Sequence, residues 1–170
     1  MQNRQGHQMR TLLLGTTVVA LCLSGSYAGS QSAPPAAGKE PHAHAPALAD
    51  MMMMTQFRHA KLWLAGDLRN WELADYQLDE LKEGLEDVIK HVPVYKDMPV
   101  GQMIEKTIMA PLDEVEKAIK ERDRAKFVST FDKLTTACNS CHQATNRGFI
   151  VIQRPAASSF PNQSFAPKRN

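Results

Sequence analysis

Cysteine is scarce in this chain, with three in 170 residues, at positions 22, 138 and 141. Cys22 lies in an amino-terminal stretch that reads as a leader removed on export, which leaves Cys138 and Cys141 as one pair. With no second pair, the sequence argues against a complete zinc site built from cysteines. An excess of one charge is also missing. The 20 Lys and Arg stand against 18 Asp and Glu, and loss of residues 1–28 removes Arg4 and Arg10 but no acid, leaving 18 against 18. Such a balance gives no global drive towards nucleic acid or an anionic membrane. The longest apolar run, Thr11 to Leu23, is too short to span a bilayer comfortably as a helix. There is no Ser/His/Asp arrangement, Gly-rich phosphate loop or metalloprotease motif. Hydrolysis and phosphoryl transfer therefore find no support and no enzymatic role is expected, with a weak peroxidase-like activity left open.

What is present divides the chain into four stretches. Residues 1–28 read as a signal peptide: Arg4 and Arg10, the apolar Thr11 to Leu23, then small residues at Ser26 and Ala28. An uncleaved anchor is the alternative, and Leu21 fits poorly in a lipoprotein box before Cys22. Residues 29–46, rich in Ala, Ser, Pro and Gly, read as a flexible linker carrying His42 and His44 as solvated side chains. Residues 47–147 carry helical periodicity throughout, and residues 148–170 form an extended tail.

The periodicity predicts four helical regions and an all-α fold. The first runs from Leu48 to Ala65 and stops near Gly66, with Met53, Phe57, Ala60 and Leu64 as its apolar stripe. Met52, His59 and Trp63 lie on one shoulder of that stripe. The second begins at Trp71 after Asn70 as N-cap, and Trp71, Ala74, Leu78, Leu81, Leu85 and Val88 alternate by threes and fours until Pro93. After a loop over residues 93–101, Ile104, Ile108, Leu112, Val115 and Ile119 stay in phase. Pro111 interrupts that run, and a restart with Pro111 in a new first turn is preferred over a kink. The fourth region runs from Asp123 to Asn146 along Phe127, Phe131, Leu134, Cys138 and Cys141, with Gly148 as its stop. Beyond it, Phe149 to Ile152 are expected to lie extended against the helices, and residues 156–170 to be mobile.

Cys138-Asn139-Ser140-Cys141-His142 is the Cys-x-x-Cys-His signature of covalent haem attachment. Two thiols three residues apart share a helical face and reach one edge of a macrocycle. The next residue, His142, projects about 100° further round and would bind the iron. A zinc half-site, a redox pair and a structural disulfide are the other readings. The helical pattern passes straight through both cysteines, whereas a zinc ribbon or redox loop would place them in a turn.

Four amphipathic helices with this motif on the last resemble the cytochromes of the cytochrome c-prime type and their six-coordinate relatives, over residues 48–147. The resemblance implies an antiparallel four-helix bundle, one covalent haem c on the last helix, and a distal side supplied by the first. Cys138 and Cys141 carry over as the thioether positions and His142 as the proximal iron ligand. Thr145 stands where the family has an aromatic residue, and the tail after Gly148 has no family counterpart. The sixth iron position falls to His59, to a methionine among Met51 to Met54, or to an apolar neighbour such as Phe57 that leaves the iron open. Arg147 and Arg154 are candidates to pair with the haem propionates. The expected role is that of a periplasmic monohaem electron carrier serving redox partner proteins, without nucleic acid or stable membrane association. By analogy with the family it could form a homodimer. Alternatives are a five-coordinate protein that binds nitric oxide or carbon monoxide, and a haem-free, disulfide-bearing helical adaptor.

Overall fold

The computed structural model describes residues 47–168, all within one compact unit. The predicted signal peptide and linker, with His42 and His44, lie outside the described residues. Five helices follow in order: α1 (Leu48–Asp67), α2 (Trp71–His91), α3 (Val100–Thr107), α4 (Met109–Lys120) and α5 (Arg124–Ala144). Among the described residues the only β pairing is an isolated bridge between Tyr95 and Met98, so the fold is all-α. No helix among them is long and apolar enough to cross a membrane.

Local chemistry sets the helix boundaries. The Asn70 side chain accepts a hydrogen bond from the Leu73 N–H, and Asp123 accepts from Lys126, so α2 and α5 start at capped ends. Pro111 sits in the first turn of α4, where its missing N–H has no role, and the helix restarts at Met109 after Ile108. Helices α1, α4 and α5 are each followed by a non-glycine residue with positive φ: Arg69 (59°), Arg122 (54°) and Asn146 (57°). In each case the next N–H reaches back five residues, as in Asn70 N–H to Ala65 C=O at 2.9 Å. The glycines expected as stops do not play that part. Gly66 lies inside α1, and Gly148 lies beyond the Asn146 turn.

Short turns make hairpins of α1 with α2 and of α4 with α5, and α2 packs on both α3 and α4. Ion pairs tie these elements at their margins: Arg58 with Glu80 at 2.9 Å, Lys82 with Asp113 at 3.1 Å and with Glu116, and Arg124 with Asp67. The core is the predicted seams of α2 to α5, with Leu78, Leu112, Val115, Phe127, Phe131 and Leu134 fully enclosed.

Two expectations are corrected. The apolar stripe read for α1 is out of phase: Met53 and Phe57 are 49% and 44% exposed, while His59, Leu62 and Trp63 face the interior. Four consecutive methionines are apolar on every face, so they carry no phase. Residues 156–168 are not loose. Phe160 packs edge-on against Phe57 at 6.2 Å, Phe165 is buried, and the Asn70 amide donates to the Ala166 carbonyl at 3.2 Å.

Candidate functional site

The last two turns of α5 carry Cys138, Cys141 and His142, and they border a cavity of about 300 Å³. Its walls come from Leu48, Met52, Met53 and His59 of α1, Leu85 of α2, Val100 and Ile104 of α3, and Ile150 and Ile152 after α5. The cavity thus brings His59 together with Cys138, Cys141, His142 and Arg147, which lie 79 to 88 residues further along the chain. Phe57 is not among the lining residues and lies under Phe160 instead.

His142 is half-buried, and its Nδ1 lies 2.9 Å from the Ile150 carbonyl oxygen. A carbonyl only accepts, so the proton is on Nδ1 and the lone pair on Nε2. That is the form in which an imidazole is oriented for a metal by a second partner. Cys138 and Cys141 are both free thiols. Burial, followed by the neighbouring Cys141, pushes the Cys138 thiol up to about 12, and burial raises Cys141 as well. Among the described residues no three His, Cys, Asp or Glu side chains converge on one point, which leaves the zinc half-site without a further ligand. Thr145, where an aromatic residue was implied, is buried and donates to the Cys141 and His142 carbonyls at 3.0 and 3.1 Å, closing the helix end.

His59 is 3% exposed, and its ring lies 4.4 Å from the Phe131 ring. The Thr135 hydroxyl donates to the Phe131 carbonyl at 2.9 Å, so it accepts from His59 Nε2–H, also at 2.9 Å. Burial lowers the pKa of His59 from 6.5 to about 4. The folded ring is therefore neutral at pH values where the unfolded ring takes up a proton. Its contribution to stability is complete above pH 6.5 and is lost as pH falls towards 4. Between pH 7 and 4 the haem-free protein should lose about 3 kcal/mol more stability than His59→Gln, which keeps a donor for Thr135. Urea unfolding at both pH values reads this difference, and equal losses would show that the ring is hydrated. Glu116, lowered to about 2 by hydrogen bonds from Lys120 and Lys82, acts in a more acidic window.

Two cations flank Tyr95, one of the residues that line the cavity. Tyr95 and Met98 exchange hydrogen bonds across Lys96 and Asp97, both at positive φ, and this tight turn presents the Tyr95 ring. The Arg147 guanidinium lies 5.1 Å from the ring centroid and the Lys96 ammonium 5.6 Å. Neither cation has an ion-pair partner among the described residues. Arg154 is engaged elsewhere, pairing with Asp132 and stacking 4.4 Å over Trp63, so it is not available to a propionate. Tyr95 and Lys96 were not singled out from the sequence as site residues, because a loop brings them in through tertiary packing, whereas Ile150 and Ile152 belong to the apolar run that the sequence offered as a cover for a haem edge.

These residues suit a haem: an apolar cavity, two thiols and an oriented imidazole on one wall, and the unpaired Arg147 on its lining for a carboxylate. No family model matches the chain, and neither the curated proteins nor the solved structures contain a match.

Proposed function

We propose that this chain is an exported monohaem c-type cytochrome of the four-helix-bundle type that carries single electrons to and from redox partner proteins. The observation that carries this reading is the shared lining of one cavity by Cys138, Cys141, His142 and His59. When bound, the haem supplies reversible one-electron chemistry at its iron. Cys138 and Cys141 would hold it by thioethers, and His142 would ligate through Nε2. Arg147, on the cavity lining, would face a propionate. His59, neutral and enclosed, is in the protonation state that binds a metal and is the proposed sixth ligand. Apolar walls from α1, α2 and α3 would keep water from the iron.

A second reading is favoured by the bond from His59 Nε2 to Thr135. If that bond persists, the iron stays five-coordinate and the cavity admits a small gas such as carbon monoxide or nitric oxide. A visible spectrum of protein made with the haem-attachment machinery separates the readings. The carrier is expected to show a covalent reduced-haem band that carbon monoxide leaves in place and that His59→Ala alters. An immediate shift with carbon monoxide in the wild type favours the gas-binding reading. A colourless, correctly exported protein ends both.

A further inference from the structure

Asn139 occupies a variable position of the Cys-x-x-Cys-His motif, where haem attachment asks for no particular side chain. Its amide nonetheless makes two hydrogen bonds to one residue: Nδ2–H to the Ile152 carbonyl at 2.9 Å, and Oδ1 from the Ile152 N–H at 2.8 Å. Residues 149–152 alternate as an extended chain does. Ile150 and Ile152 line the cavity, while Phe149 and Val151 are 82% and 69% exposed. Among the described residues no strand pairs with this segment, and the Asn139 amide supplies the partners that a neighbouring strand would have given. Asn139 and His142 are three apart on α5 and share a face. The following segment therefore runs back along α5 through successive contacts: His142 with Ile150, Asn139 with Ile152, and Asp132 with Arg154. Ser140, the other variable residue, is exposed and only returns its hydroxyl to the Thr136 carbonyl.

We propose that Asn139 is a positioning residue for His142: it clamps Ile152 so that the Ile150 carbonyl, two residues earlier, stays on His142 Nδ1 and fixes the ring. The clamp stands on the geometry alone, and its consequence for the iron rests on the haem reading above. A carbonyl held on Nδ1–H makes the imidazole a stronger donor, which favours the oxidised metal.

The test uses Asn139→Ala, a change to a better helix former, with the far-UV dichroism as a check on the fold. In the full chain without haem, the Ile152 amide is expected to exchange roughly tenfold faster or more once two hydrogen bonds are lost. Asn139→Asp keeps the acceptor and loses the donor, and should fall between. In the haem-loaded protein the midpoint potential should rise. Unchanged exchange at Ile152 overturns the clamp. Faster exchange with an unmoved potential overturns the positioning role. If the wild type takes up no haem, its lack of colour identifies the failure as that of the haem reading, and the positioning role falls with it.

Discussion

Gly66→Ala should destabilise the fold by about 2 kcal/mol or more, although alanine is the better helix former by about 1 kcal/mol at an exposed position. A Cβ at Gly66 would lie 2.1, 2.4 and 2.6 Å from three atoms of the Phe127 ring. Real Cβ atoms do not approach so closely, so something must move. The ring has nowhere to go: Phe127 is fully buried, 6.1 Å from Trp63 and from Trp71 and 5.8 Å from Phe131. Urea unfolding should show a lower midpoint at an unchanged slope. Phe127→Ala alone should cost about 3–5 kcal/mol by opening a cavity. The double variant Gly66→Ala/Phe127→Leu should then be more stable than the sum of its parts, because the smaller side chain makes room for the methyl. A stabilised Gly66→Ala would mean that the helix does not sit on this ring.

The second large effect is on thiol reactivity. At pH 8 the haem-free chain should alkylate at Cys138 about 1,000-fold more slowly than the same chain unfolded in urea. The cause is burial, which lifts the thiol from 9.0 to about 12 and so removes nearly all of the reactive thiolate. Cys141, whose thiol is also raised by burial, should label first because Cys138 is the more strongly shifted. Iodoacetamide labelling followed by mass spectrometry of the α5 peptides measures both rates. Labelling of Cys138 at the unfolded rate would contradict the enclosed site. A redox Cys-x-x-Cys pair works through a lowered thiol pKa, and both of these are shifted the other way. The same burial that makes them poor redox thiols places them against an apolar cavity, where a large apolar ring would be held.

The sequence was most legible where one face of a helix meets one partner surface. The three-four alternation of α2, its Asn70 cap and the restart around Pro111 all hold in the structure. The phase of α1 was not legible, because Met51 to Met54 look alike on every face and tertiary neighbours choose among them. Gly66 was read as a stop, whereas its missing side chain serves Phe127 across the core. The composition after residue 155 suggested looseness, but Phe160 and Phe165 are enough to anchor it. Within the site, the cysteines and His142 were visible as a motif, and His59 as a neighbour of Trp63 on one shoulder of α1. Arg154 was close in sequence to the motif but points to Asp132. Tyr95, Lys96 and the Asn139 clamp left no trace in any periodicity, because they depend on where two loops happen to approach α5.

The contact between Asn70 and Ala166 joins positions 96 residues apart. Closing so wide a loop is entropically expensive until the helices have already gathered its ends, so it forms late in folding. Ile150 and Ile152, which make one wall of the cavity, meet α5 through partners only 8 and 13 residues away, so that wall closes locally. The inner wall and the far tie are therefore separable: losing the Asn70–Ala166 bond leaves the Ile150 and Ile152 contacts with α5 in place.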